Sequence, residues 1–269
     1  MALMMPAVAD DDDSTLSPQK PVAVDSGIVK EILRSDMIML DDDKRFRLEN
    51  ILIPPFEETP VLEELNRALL NRAVTVYMYQ DADKRGSIPL VHVVTDNNVW
   101  IQEDLVSKGL AWAFSSETSQ QMMDTLKIVE DNARTQQVGF WKDPAYAIKT
   151  PTTVKKFMNT YQIVEGKILS VNADRSDVAY FNFGKNWKTD FVIRIRGDRE
   201  FLNDVKDPEH PEKAKRNAWQ NFNETKWKNR IVRVRGWVHG TNGPVIDVTD
   251  KEQIDFIEPD IDTMETDDK

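Results

Sequence analysis

The chain has 269 residues, 40% of them hydrophobic and 30% charged, with a formal net charge of -11, the composition of a globular protein of about two domains. It contains no cysteine, which excludes disulfide staples, thiol catalysis and cysteine-ligated zinc or iron–sulfur centres. His92, His210 and His239 are the only histidines and lack an H-E-x-x-H spacing, so a multi-histidine metal site would have to be assembled by the fold.

The charge is unevenly placed. Residues 1–26 carry five acids and one lysine, and residues 250–269 nine acids and two lysines. Residues 27–149 hold 14 basic and 20 acidic side chains, residues 150–249 hold 18 and 12. A positive second half is a hint of an anionic partner there, although a mixed solvated surface gives the same balance. No stretch reaches the eighteen or so apolar residues of a membrane-spanning helix, so no transmembrane segment is expected.

In chain order, Ala7 and Ala9 stand at an A-x-A cleavage spacing before a polar run, though the positively charged opening of an export signal is missing. Residues 1–26 therefore read as the remnant of a signal, with a periplasmic or secreted destination, or as a disordered acidic leader; residues 10–26 read as linker. From Gly27, Ile28–Leu33, Met37–Leu40 and Phe46–Ile53 form a strand meander. Residues 59–72 predict a helix with Thr59 as N-cap, Pro60 at its first position and leucines 62, 65, 69 and 70 on one face. Val74–Tyr79 and Leu90–Thr95 predict strands around a polar turn, Ile101–Lys108 a helix stopped by Gly109, and Ser116–Gln137 a longer helix closed by Gly139. The first domain spans 27–149.

Pro144, Pro151 and the neighbouring threonines mark a connection. The second domain, 150–257, predicts strands at Gln162–Val171, Val178–Phe183, Asp190–Arg196, Arg230–His239 and Val245–Thr249, an extended run near Gln253–Ile257, and a helix at Glu212–Phe222. Three strands, a helix and two strands is the order of the OB barrel, which binds oligonucleotides or sugars across strands two and three; an unrelated α+β barrel has the same order. Residues 258–269 form an acidic tail.

Several segments of the first domain resemble the staphylococcal nuclease (thermonuclease) family: Phe46-Arg47-Leu48 with Ile51 and Pro54, Asp36 before Met37–Leu40, Leu105-Val106-Ser107-Lys108-Gly109-Leu110-Ala111, and Gly139-Phe140-Trp141. The resemblance implies an OB-related barrel and, in active members, calcium-assisted phosphodiester cleavage. That chemistry needs a cation on a phosphate oxygen, an arginine on the developing charge and a carboxylate to position water. Asp36 matches one calcium-binding aspartate and Arg47 the phosphate-contacting arginine. The second aspartate falls on Leu52, the carbonyl ligand on Ile53 and the glutamate on Pro55, and the second arginine has only a gapped counterpart in Arg85. Asp36 and Arg47 are thus expected to be vestigial, an ion pair rather than a metal site, with calcium needed only if Glu57, Glu58 or Asp41–Asp43 rebuild it; otherwise no cofactor is expected.

The second domain resembles the C-terminal OB-like domain of many bacterial thermonuclease-like proteins, in Gln162–Ile168, in Tyr180-Phe181-Asn182-Phe183-Gly184 with Trp187 and Asp190-Phe191, and in Arg233–Val238 with Asn242-Gly243-Pro244. The expected fold class is therefore mainly β with helices (α+β), two small barrels in series. By strand period, positions 181, 183, 191, 193 and 195 point inward. Tyr180, Trp187, Lys188, Arg194, Arg196, Arg233 and Arg235 are candidate nucleic-acid contacts, because bases stack on aromatic faces while cations neutralise phosphates. The arginines are expected to face outward, lining a groove or merely keeping strand faces soluble. Asn182 and Asn186 read as turn residues. Three readings follow: a noncatalytic binder of single-stranded nucleic acid, with steep salt dependence if several phosphates are neutralised; an interaction subunit docking a protein partner; and a nuclease with a rearranged site.

Overall fold

The structure, a computed structural model, describes residues 21–55, 57–78, 88–115, 120–173, 178–196 and 227–257. The A-x-A leader, Arg85 and its turn, the start of the Ser116 helix, the Glu212–Phe222 helix and the acidic tail lie outside these residues. The chain divides into two units, Met1–Ala145 and Tyr146–Lys269.

In the first unit the elements are β1 (Val22–Arg34), β2 (Met37–Leu40), β3 (Arg45–Leu48), β4 (Ile51–Leu52), α1 (Glu58–Leu69), β5 (Ala73–Met78), β6 (Leu90–Thr95), α2 (Ile101–Ser107), β7 (Trp112–Ala113) and α3 (Gln120–Thr135). Alternation in β3 buries Phe46 and Leu48 and exposes Arg45 and Arg47, the pattern of a strand with one wet face. The barrel closes in the order β1-β2-β3-β6-β5 because β1, 13 residues long, pairs with β2 through its second half and with β5 through its first. Val22–Ser26 are therefore strand and not linker. Their backbone completes the open side of β5, which acidic composition does not prevent. The pair β3–β6 is parallel.

α1 begins at Glu58 with Glu57 as N-cap and no side-chain cap, so Thr59 and Pro60 lie in its first turn, where the missing proline N–H is not needed. Its buried stripe is Val61, Leu65 and Leu69, spaced four apart. Leu70 follows the last turn and is exposed. The two glycine motifs explain each other. Gly109 and Gly139 both have positive φ, and a Cβ on Gly139 would lie 2.1 Å from the Gly109 carbonyl oxygen, so only glycines let the ends of α2 and α3 meet. Phe140 N–H then donates to Gly109 O at 3.0 Å. The short β4–β7 pair was not foreseen, being only two residues per strand.

The second unit contains β8 (Tyr161–Lys167), β9 (Ser170–Ala173), β10 (Val178–Asn182), β11 (Val192–Arg196), β12 (Ile231–His239), β13 (Val245–Val248) and β14 (Ile254–Phe256). The strand expected over Gln162–Val171 is broken at Ile168-Leu169. Its first half pairs with β12 and its second with β10, so the bend closes the ring β8-β12-β13-β11-β10-β9. Here too the third strand of the barrel runs parallel to the last, β11 with β13. Both units thus share the OB order of strands. Phe181, Phe183, Phe191, Ile193 and Ile195 are buried as the strand period requires, and Trp227 packs between Phe181, edge-on at 5.1 Å, and Phe256, tilted at 4.6 Å. Each such side chain contributes roughly 1.5–3 kcal/mol by burial.

His92 is among the polar groups sealed into the first unit. His92, on β6, is fully buried, 3.7 Å from Glu49 Oε2 and edge-on to Trp100 at 5.5 Å. Burial pushes its imidazole down to about 3. An unfolded histidine takes up a proton below its ordinary value of about 6.5 while the folded one does not until far lower, so stability falls as pH drops through that window, at up to about 1.4 kcal/mol per pH unit. Denaturant midpoints of wild type and His92→Gln at pH 7.5 and 4.5 check this: wild type is expected to lose more between the two pH values than the variant, whatever the variant's absolute stability.

Candidate nucleic-acid interface

The tight turn after β1 presents Asp36, and β3 presents Arg47 on its exposed face opposite Met37. Arg47 Nε donates to Asp36 Oδ2 at 2.6 Å, and the Asp36 carbonyl accepts from Leu48 N–H at 2.8 Å. The two residues matched to the nuclease site are thus brought together, as a surface ion pair with Arg47 56% exposed and Asp36 23%. Of the other matched positions, Leu52 is half-buried and has no side-chain oxygen, Ile53 keeps only the backbone carbonyl that any residue has, and Pro55 is exposed. Asp41, Asp42 and Asp43 stand at the far end of β2, five residues from Asp36, roughly 16 Å at strand rise. They are engaged there: Asp42 and Asp43 pair with Lys44 and Lys30, and Asp41 accepts from Ile28 N–H. Among the described residues no three His, Asp or Glu side chains converge as a metal-holding group. Calcium takes six to eight oxygens, and this donor set does not fit it.

The second unit assembles a larger feature. The cross-strand register places Asn172 beside Tyr180, Tyr180 beside Arg194, and Arg194 beside Asp247. This row runs across β9, β10, β11 and β13 on the face opposite the core. A second row holds Asn182 between Ser170 and Val192. Two loops wall it. In the first, Asn186 Oδ1 accepts from Lys188 N–H at 3.2 Å, and the Asp190 carboxylate accepts from Asn186 N–H at 2.9 Å and from the Thr189 hydroxyl at 3.3 Å, an Asx-type closure at whose tip stand Trp187 and Lys188. The second is Gly240–Gly243. Gly184 and Gly243 let the loops seat, since a Cβ on Gly184 would lie 2.0 Å from Asp190 Oδ2 and one on Gly243 2.9 Å from Thr189. The result is a groove of about 720 Å³ lined by Asn172, Tyr180, Asn182, Trp187, Lys188 and Arg194 among others.

Trp187 is 66% exposed, with Lys188 Nζ 5.5 Å from its ring centroid. Arg194 makes a bidentate fork to Asp247, Nε to Oδ1 at 2.5 Å and Nη2 to Oδ2 at 2.7 Å, and His239 Nε2 lies 2.9 Å from the same Oδ2. Partial burial acts to raise the Asp247 carboxyl, but the hydrogen bond and charge of Arg194, with His239 beside it, hold it below the usual carboxylate range. The hydrogen bond to Asp247 in turn raises Arg194.

Of the seven candidates read from the sequence, Tyr180, Trp187, Lys188 and Arg194 share this groove. Arg196 is exposed two residues further along β11 and does not line it. Arg233 and Arg235 sit on β12, away from the groove. Arg233 forks onto Glu165, its cross-strand neighbour, at 2.9 and 3.1 Å. Arg235 does not face outward as expected but is 2% exposed. β12 is flanked by β8, β13 and β14, and the turn Lys251–Gln253 packs on it, Gln253 Nε2 donating to Arg235 O. Asn182 is likewise no turn residue: its Nδ2 donates to Ser170 Oγ across the strand pair. Asn172, Asp247 and the Gly240–Gly243 loop were missed. Asp247 was legible only once β11 and β13 were known to be parallel neighbours.

The first unit, a closed five-stranded OB-related barrel with a surface Asp36–Arg47 pair, has the architecture of a nuclease-type barrel. Residues 60–143 match the family described as staphylococcal nuclease homologue, so the first unit is nuclease-like over that stretch. The matched stretch begins after Asp36, Arg47 and Leu52, so it rests on α1 to the Gly139-Phe140-Trp141 turn. No curated protein matches the chain. The second unit is an OB-like barrel.

Two substitutions separate structural arginines from surface ones. Arg235→Ala is expected to cost roughly 3 kcal/mol, since it strips a buried charge from its surroundings, whereas Arg196→Ala stays within about 0.5 kcal/mol. Denaturant unfolding of both variants measures the difference.

Proposed function

We propose that this protein is a noncatalytic member of the nuclease-like family that holds single-stranded nucleic acid in the groove of its second barrel. What supports the reading is the placement of Trp187, two-thirds exposed beside Lys188, which has no carboxylate partner among the described residues, above a floor carrying Tyr180. An exposed indole beside a cation over a polar sheet face provides stacking and charge together. The first barrel contributes scaffold: one carboxylate, itself engaged by Arg47, leaves a divalent ion too few oxygens for phosphodiester cleavage.

The full chain is expected to bind a labelled single-stranded oligonucleotide, and Trp187→Ala to weaken that binding by about 1–3 kcal/mol, the worth of one stacked base. With calcium added, the oligonucleotide is expected to stay intact over hours. Cleavage that Arg47→Ala abolishes would restore the catalytic reading. A stable complex with a protein partner, formed without nucleic acid and insensitive to Trp187→Ala, would move the function to protein docking.

A further inference from the structure

We infer that the groove recognises nucleobases and makes about one phosphate contact, so that it reads the faces and edges of a strand and does not track its backbone. The inference rests on the nucleic-acid reading above and concerns what part of the strand the groove grips.

It follows from which groups in the groove are already committed. Arg194 is held in a bidentate fork by Asp247, and a phosphate that displaced this carboxylate would leave it facing the incoming anion. Asp190 places a second carboxylate in the lining, fixed in the loop closure. Lys188 is the one lining cation with no carboxylate partner among the described residues. Lys185 and Arg196 are exposed but outside the lining. The groove is therefore nearly neutral, and counterion release, the source of affinity for a polyanion, is small.

The uncommitted groups are those a base uses. Trp187 offers an exposed ring, and Tyr180 a half-buried one on the floor. The amide of Asn172, the Oδ1 of Asn182 and the side chain of Asn242 make no hydrogen bond within the described protein and line the same space. Amides present a donor and an acceptor side by side, matching the edges of bases in an unpaired strand. Asn182 is 3% exposed and its Nδ2 is anchored on Ser170, which leaves its oxygen as the uncommitted half of the amide.

The test compares two probes of the same length and charge, a hexathymidylate and a hexamer of abasic sites, by fluorescence anisotropy with the full chain at 50 and 200 mM salt. The thymidylate is expected to bind with only about threefold weakening between the two salts, the response of one neutralised phosphate on a single strand. The abasic hexamer is expected to bind about 5- to 150-fold more weakly, the loss of one stacked base. Trp187→Ala should lose affinity for the thymidylate without changing its salt response, while Lys188→Ala should flatten that response further. Equal binding of both probes, with affinity falling several hundredfold between the salts as about six phosphate contacts would give, overturns base recognition and leaves nucleic-acid binding standing. Binding of neither probe overturns the nucleic-acid reading itself.

Discussion

Arg194 and Asp247 are direct neighbours across the parallel pair β11–β13, and their fork at 2.5 and 2.7 Å binds the largest cation of the groove floor to a carboxylate of the same floor. The chemistry of the second barrel turns on that pairing. Without Asp247 the outer face of strands two and three would present a free guanidinium beside Tyr180, the arrangement of a backbone-tracking surface. With it, the charge of the face is internally balanced. His239 on the same carboxylate oxygen ties the end of β12 into the network, so the pair also braces the strand from which the Gly240–Gly243 loop departs.

The two units use one strand order for different ends. In each, a bent first strand pairs with the second and fourth and closes the ring, and the third and fifth run parallel. Closure removes sheet edges and fixes which residues face in, but says nothing about what faces out. In the first barrel, lysine–aspartate pairs such as Lys30–Asp43 and Lys44–Asp25 stand on the surface, and Arg47 is met by Asp36. Exposed pairs of this kind contribute little to stability. In the second barrel the loops on either side of the outer face are pinned by glycine contacts and by Asp190, which converts a strand face into a concavity.

The sequence made the barrels legible because their signal is repetitive. Phe181, Ile193 and Ile195 alternate with outward residues, and Leu90–Thr95 fills its strand to the residue. Gly109 and Gly139 marked helix ends, though not that they touch. What escaped depended on pairing between distant segments. Arg235 alternates with Val234 as an outward residue should, yet it is buried, on a strand whose backbone the turn at Lys251–Gln253 meets through Gln253. Val22–Ser26 look like linker by composition and become strand because β5 needs a partner. Four of the seven residues singled out for nucleic acid meet in one groove, since strand parity and a loop tip bring them there. Arg194's neutralisation was invisible, because Asp247 lies 53 positions away and reaches it only through the parallel register.

The shape of the first barrel does not depend on the positions matched to the metal site. The core of the first unit is built from β2, β3, β5 and β6 interior residues packed on Val61, Leu65 and Leu69 of α1, with Leu105 and Met123 from the other helices. None of the positions matched to the metal site belongs to that buried set. Leu52 stands where a carboxylate would, half-buried, and Ile53 packs its side chain against the core. Ile53 adds contact with the core, and a leucine at 52 avoids the repulsion that a second carboxylate would exert in the absence of an ion. The outer groove of the second barrel is held differently: its walls stand on Gly184, Asp190 and Gly243, so the residues that shape the surface are the same ones that let the loops pack.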